Sequence, residues 1–178
     1  MTDKKTDKPV VEETWFDKYN QALVRYPFLI NAVQSAVIAA LGVMVSQQMN
    51  GAKHYDWTEV RAMVIINFIF MTPILLAFIS YLNNLQASNL TKLAIDQLLF
   101  SPPFTAGIIG LRLFLLGTDL SQVPGIVIKV LPKAMVSSMM FWLPTRFLIM
   151  SYVPAQLQLL TGSLGGFVWN VIFSMILS

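Results

Sequence analysis

Long apolar segments alternate with short polar connections along this chain, and their lengths predict helices that cross a membrane. The apolar segments cover residues 28–47, 62–82, 90–117, 134–153 and 155–177. A helix of about 20 apolar residues spans the roughly 30 Å hydrocarbon core of a bilayer. The pattern therefore predicts an all-α, polytopic membrane helix bundle with about four transmembrane helices, and it leaves a fifth hydrophobic segment ambiguous.

Residues 118–133 form a further apolar segment that is broken by Pro124, Gly125 and Pro132. Proline removes a backbone donor and interrupts a helix interior. We therefore expect this segment to lie along the membrane surface as an amphipathic piece and not to cross the membrane.

The N-terminal part of the chain divides into a polar tail and an amphipathic helix. Residues 1–14 are polar and lack an apolar core, so we expect a disordered tail, followed by a single integral-membrane domain over residues 15–178. Phe16, Tyr19, Leu23 and Tyr26 recur at helical spacing. Aromatic residues of this kind settle at headgroup level, which predicts a short interfacial helix that is ended or kinked at Pro27.

Composition supports a membrane protein and excludes several other classes. The chain is 56% hydrophobic and 12% charged, whereas about a quarter of the residues are charged in soluble domains. The net charge of +3 is not clustered, so contact with nucleic acid is not expected. The chain has no cysteine, which excludes disulfides and thiolate chemistry.

Residues suited to catalysis are scarce. The one histidine, His54, lies in a polar connection, and no set of side chains has the spacing of a metal site. No phosphate-binding or dinucleotide-binding motif occurs. The sequence therefore predicts a protein that is not an enzyme and that binds no metal or cofactor.

A few polar side chains remain within the apolar segments. Asp96 and Gln97 stand at the mouth of one segment, and Arg112 or Arg146 is a possible partner for the carboxylate. Ionisable groups within a membrane normally face protein or water. Two interpretations stay open: the group either locks neighbouring helices together or lines a hydrated path.

Two faces of small and polar residues occur on the last two apolar segments. One comprises Ser138, Trp142 and Arg146, and the other comprises Gly162, Gly166, Asn170 and Ser174. Small residues let membrane helices approach closely. These faces are consistent either with tight helix packing or with the wall of a channel.

Several of these residues fall at the spacing of a known family. Asp96-Gln97, Pro102 and Phe104 resemble the "DQ…P.F" signature of the Mpv-seventeen / peroxisomal membrane protein 2 family. The chain also resembles the C-terminal block of that family, at Trp142, Pro144, Pro154, Trp169 and Asn170. Upstream elements from Trp15 to Gln48 extend the resemblance over nearly the whole chain.

The chain departs from the family pattern at several positions. Val43 follows Gly42 where the family often has an acidic or amide residue, and the family's Gly-Pro…Trp-Tyr element is reduced to Thr72-Pro73. Arg146 and Ile149 stand where a glutamine and an asparagine usually follow the Trp-x-Pro motif. The chain therefore resembles a divergent member.

The resemblance implies an integral protein of the mitochondrial inner membrane, or alternatively of the peroxisomal membrane, with about four crossings. Relatives are described as small-solute pores or as proteins needed for organelle solute balance and mitochondrial DNA upkeep. The family supplies no catalytic residues.

Our hypothesis is a weakly selective solute channel, as a homo-oligomer in contact with membrane lipid. In this channel Asp96, Gln97 and Arg146 set the polarity of the path, and the lining helices bend at Pro102, Pro103 and Pro154. The alternative is a non-conducting structural or adaptor protein.

Overall fold

The computed structural model describes residues 14–177, and for residues 170–177 it describes only the course of the helix. Residues 1–13, most of the predicted polar tail, lie outside this range. The described residues form six helices and no strand. They are α1 (Trp15–Arg25), α2 (Pro27–Met49), α3 (Trp57–Asn84), α4 (Asn89–Leu115), α5 (Val123–Tyr152) and α6 (Gln158–Leu177), with a 3₁₀ turn at Ala155–Leu157 before α6.

Helices α2 to α5 are each long and apolar enough to cross a membrane, and α6 is a further hydrophobic helix of 20 residues. The predicted all-α, polytopic membrane bundle is confirmed. The connections between these helices are short, so consecutive helices run antiparallel. The start of α2, the end of α3 and the start of α4 therefore lie at one end of the bundle.

Helix α1 is set off by signals at both of its ends. Thr14 and Asp17 form a capping box, in which each residue satisfies a backbone N–H of the other. The hydrogen bond from the Thr14 hydroxyl, and then that from its backbone N–H, lowers the pKa of Asp17. The helix ends at Arg25, and Pro27 begins α2, as predicted. Leu23 is buried, whereas Trp15 is 78% exposed.

Residues 123–133 form the first third of α5, so the predicted separation of this segment from the span that follows is wrong. Its position relative to the membrane surface stays a prediction. Pro124 and Gly125 fall in the first turn, where a backbone N–H has no helical partner to lose. Pro132 removes one bond from the interior, and a membrane helix tolerates this loss when neighbouring groups satisfy the freed carbonyl. The break in the sequence pattern is therefore not a break in the helix.

Helices α3 and α4 each contain a turn of π-helix that ends two residues before a proline. The turn Ile66–Met71 precedes Pro73, and the turn Ile95–Phe100 precedes Pro102. A π turn absorbs an extra residue and changes which carbonyls lack a partner, so it relieves the clash of a proline ring with the preceding turn. Both π turns carry buried polar side chains, namely Asn67, Asp96 and Gln97.

The best-packed part of the bundle is centred on α2. Its small and polar face, which includes Asn31, Ser35, Ala39 and Gly42, is buried, and α2 packs against α3 and α6. The Ser35 and Ser163 hydroxyls are 2.9 Å apart across the α2–α6 contact. The small side chains of this face let the backbones of the packed helices approach closely. Helices α4 and α5 pack on each other at the other side of the bundle.

Candidate functional site: a cavity inside the helix bundle

A cavity of about 720 Å³ lies between the five long helices. Its lining on α4 extends from Asp96 to Leu113, which is about 25 Å at 1.5 Å per residue. This length approaches the roughly 30 Å thickness of the hydrocarbon core. The volume lies within the range of about 300–1,000 Å³ that is typical of small-molecule pockets. The lining of the cavity on α4 is therefore nearly as long as the hydrocarbon core of a bilayer is thick.

Asp96 and Arg146 form a buried ion pair at one end of the cavity. Arg146 Nη2 lies 2.7 Å from Asp96 Oδ1, and Arg146 Nε lies 3.1 Å from Asp96 Oδ2. Gln97 donates a further hydrogen bond from Nε2 to Asp96 Oδ2 at 2.7 Å. The carboxylate, which is 2% exposed, is thus held by a two-point contact with one guanidinium and by one amide.

The position of this pair follows from the helix ends. Asp96 lies about two turns after the start of α4, and Arg146 lies about two turns before the end of α5. Since α4 and α5 are antiparallel neighbours, these positions fall at the same level of the bundle. Of the two arginines considered as partners of Asp96, the structure selects Arg146.

Arg112 does not reach Asp96, and its partner is Glu59 near the start of α3. Asp96 and Arg112 are 16 positions apart on one helix, which separates their backbones by about 24 Å. No arginine side chain spans that distance, so the alternative pairing is wrong. Glu59 Oε2 also accepts a hydrogen bond from Gln47 Nε2 at 3.0 Å. A second acid–base pair therefore stands at the opposite end of the cavity.

Between the two ion pairs, the lining consists of apolar side chains and uncharged polar groups. The hydroxyls of Ser101, Thr105, Ser137 and Ser138 line this part, together with the Asn67 amide. Ser137 and Ser138 each donate to a backbone carbonyl on their own helix. The central part of the cavity thus offers hydrogen-bonding groups without formal charge.

Stacked phenylalanine rings connect α3 and α4 beside the cavity. The rings of Phe78 and Phe100 are parallel, with centroids 3.6 Å apart, and the Phe104 ring stacks on both Phe100 and Phe70. Gly107 faces the end of the Phe70 ring, where an added Cβ would come within 2.8 Å of the ring tip. Gly107 therefore allows this close approach of α3 and α4.

The predicted C-terminal residues lie where α5 meets α6. Trp142 lines the cavity and packs against Gly165, whose added Cβ would lie 3.3 Å from the indole. Pro144 lies inside α5, and the Phe141 and Trp169 rings are in contact with centroids 5.3 Å apart. Pro154 stands in the connection after α5 and bends no helix, contrary to our expectation.

The small face of α6 turns towards the cavity. Gly162 and Gly166 both line it, and an added Cβ at either position would meet no atom within 4 Å. Tight helix packing therefore does not account for these two glycines, and Gly165 is the glycine in close contact. The backbone of Asn170 lies in α6, but its side chain falls outside the described residues.

Sequence reasoning missed several polar residues of the cavity lining, among them Glu59, Asn67 and Gln158. Gln158 is 6% exposed; it accepts a hydrogen bond from Asn83 at 3.3 Å and donates one to the Val153 carbonyl at 3.1 Å. Glu59 and Arg112 lie at nearly equal distances along the chain from the connection between α3 and α4. That symmetry was an available signal for their pairing.

Among the residues described, no cluster of side chains is suited to hold a metal ion. No group of three or more histidine, cysteine or carboxylate side chains converges within this part of the chain. His54 is exposed in the connection between α2 and α3. The contacts observed at the cavity are ion pairs, hydrogen bonds and aromatic contacts.

Comparison with known proteins agrees with the resemblance noted in the sequence. The family model described as Mpv17 / PMP22 family matches residues 113–174, which include Trp142, Pro144, Pro154 and Trp169. Asp96 and Gln97 precede the matched residues. No solved structure matches the chain.

Named relatives align over most of the chain. The mitochondrial inner membrane protein Mpv17 of Drosophila melanogaster is 26% identical over 161 residues, covering 85% of this chain and 96% of the relative. Peroxisomal membrane protein 2 of Bos taurus is 25% identical over 166 residues, covering 85% of this chain and 84% of the relative. Protein SYM1 of Gibberella zeae is 26% identical over 169 residues, covering 89% of this chain and 94% of the relative. The chain is therefore similar to the Mpv17 / PMP22 family in its C-terminal part, and it is similar to these three named proteins over most of its length.

Proposed function

We propose that this chain is a non-enzymatic, multi-pass protein of an organellar membrane that forms, or contributes to, a weakly selective channel for small solutes. It does so as a homo-oligomer and supports the solute balance of the organelle. The mitochondrial inner membrane is the proposed location, because relatives from Drosophila melanogaster and Danio rerio are named for it. The peroxisomal membrane is the alternative, since a Bos taurus relative is named for that membrane.

The observation that carries the channel proposal is the cavity itself. It has a volume of about 720 Å³, and polar side chains line it over most of the depth of the bundle. Membrane proteins rarely keep ionisable groups at this depth unless the groups face protein or a water-filled space. Asp96, Gln97 and Arg146 set the polarity at one end of this path, and the π turn and prolines of α4 shape its wall.

The alternative function is that of a structural or adaptor protein whose polar groups only hold helices together. The observation that favours it is the complete engagement of Asp96 by Arg146 and Gln97. A buried ion pair of this kind fixes the position of two helices relative to each other, and it does so without a solute.

Flux through liposomes distinguishes the two functions. Purified protein, inserted in liposomes and shown by sedimentation to be assembled, is expected to release small solutes faster than protein-free liposomes do. Asp96→Asn is expected to change the charge preference, because it leaves the Arg146 guanidinium without its counter-charge. An assembled, well-inserted protein that gives no flux of any solute contradicts the channel and supports the structural function.

The proposed location has its own test. A tagged copy is imaged against markers of the mitochondrial inner membrane and of peroxisomes in the same cells. Overlap with the mitochondrial marker is expected, and overlap with the peroxisomal marker selects the alternative. Signal at neither organelle contradicts both.

A further inference from the structure

The charged side chains that line the cavity cancel in pairs. Among the residues described, the lining contains two carboxylates and two guanidiniums, and each carboxylate contacts one guanidinium. Asp96 is matched by Arg146 at one end, and Glu59 is matched by Arg112 at the other. Neither end therefore presents a net charge to a passing solute.

The path between the pairs also carries no charge. Over the roughly 24 Å that separates the Asp96 and Arg112 positions, the polar lining is made of hydroxyls and amides. An ion that leaves water here loses its hydration and gains no fixed opposite charge, which is costly in an apolar surrounding. An uncharged polar solute instead exchanges hydrogen bonds with water for hydrogen bonds with the serine and threonine hydroxyls.

We infer that the cavity selects small, uncharged polar solutes over inorganic ions of either sign. The inference rests on the proposed channel function, and it follows from the mutual neutralisation of the Asp96–Arg146 and Glu59–Arg112 pairs. Selectivity in such a path arises from the absence of a net lining charge, together with the apolar stretches that disfavour ions.

The test compares neutral solutes with ions in the same vesicles. The purified full chain is inserted in phosphatidylcholine vesicles, whose surface carries no net charge. Glycerol and erythritol entry is followed by light scattering, and potassium and chloride fluxes are followed with ion-sensitive dyes. We expect polyol entry to rise severalfold over protein-free vesicles while both ion fluxes stay at the protein-free level.

The outcomes separate this inference from the function on which it rests. Potassium or chloride flux that matches polyol entry overturns the neutral selectivity and leaves the channel intact. Absence of both polyol and ion flux in assembled protein overturns the channel itself.

Variants that change the lining charge test the inference through the direction in which they shift chloride permeability relative to potassium permeability. Asp96→Asn is expected to raise chloride over potassium permeability by about tenfold, and Arg146→Gln is expected to produce the opposite bias. The double variant Asp96→Asn with Arg146→Gln removes both charges and is expected to restore the preference for polyols. A double variant that keeps the bias of either single variant contradicts the pairing argument.

The second ion pair provides a variant that is less demanding on folding. Glu59 lies in a more exposed pair than Asp96, with 25% of its side chain exposed against 2%. Glu59→Gln leaves Arg112 uncompensated and is expected to admit chloride, as Asp96→Asn does. If the Asp96 variants fail to assemble, unchanged ion exclusion in assembled Glu59→Gln protein overturns the inference.

Discussion

Asp96 owes its place inside the bundle to a single neighbouring cation. Its carboxylate receives two hydrogen bonds from Arg146 and one from Gln97, and it is 2% exposed. Arg146 stands where the resembled family usually has glutamine. In this chain, an arginine at that position supplies the full opposite charge that a buried carboxylate needs.

Removing one member of this pair is expected to destabilise the fold more than removing both. Arg146→Gln or Asp96→Asn alone leaves a buried charge without a partner, at a cost of about 3–5 kcal/mol. The double variant is expected to recover a large part of that loss, since no uncompensated charge remains. Thermal unfolding in detergent micelles gives the stability of the two single variants and of the double variant relative to the unmodified protein. Together these form a double-mutant cycle.

Arg112→Gln is the matched control, because 42% of the Arg112 side chain is exposed. Its expected cost is about 1 kcal/mol or less, as for other partly solvated pairs. Equal losses for Arg112→Gln and Arg146→Gln, or simple additivity in the Asp96 cycle, would contradict a distinct role for the buried pair.

Two glycines are expected to respond oppositely to alanine. A Cβ at Gly107 would lie 2.8 Å from the Phe70 ring, so Gly107→Ala is expected to cost about 1–3 kcal/mol through overpacking. A Cβ at Gly166 meets nothing within 4 Å, and Gly166→Ala is expected to be neutral or to stabilise its helix by up to about 1 kcal/mol. Unfolding midpoints in the same detergent compare the two. A larger loss at Gly166 would mean that its face is packed.

At the scale of whole helices, apolar length was sufficient to locate α2, α3 and α4, because each apolar segment continues for about the length that a bilayer demands. It failed for α5, where proline and glycine suggested an interruption. Pro124 and Gly125 fall in the first turn, and about two and a half turns of helix precede Pro132. Whether proline begins, bends or ends a helix depends on neighbours that the local sequence does not specify.

A spin-label scan over residues 124–140 tests the continuity of α5. The chain has no cysteine, so each introduced cysteine carries the only label. Ile128, Val136 and Met140 are 72%, 65% and 80% exposed and fall on one face, so oxygen accessibility is expected to peak there with one helical period. The prediction of a separate surface segment would be supported by a shift in the periodicity of oxygen accessibility at Pro132. Accessibility that is uniform and typical of the membrane surface before residue 133 would support it as well.

At the scale of the whole molecule, the site depends on the distance of each residue from its helix end and on the antiparallel packing of the helices. These matter more than any sequence motif. Asp96 was recognisable as an intramembrane carboxylate, but its partner follows from the antiparallel packing of α4 on α5. Glu59 and Arg112 are brought together in the same way by α3 and α4. The cavity itself could not be predicted, because it arises where five helices leave space and not from any one of them.

Whether the cavity contains water decides between a channel and a structural protein, and cysteine labelling tests this directly. Thr105 and Ser138 line the cavity from facing helices, whereas Val136 and Met140 are exposed on the outer face of α5. An uncharged, polar thiol reagent belongs to the solute class that the cavity is inferred to admit, and it reacts with thiolate, which forms only where water is present. In liposomes, Thr105→Cys and Ser138→Cys are therefore expected to react much faster than Val136→Cys and Met140→Cys. Equal, slow labelling at all four positions, with normal labelling after detergent denaturation, would mean that the cavity is dry and that the polar groups only hold helices together.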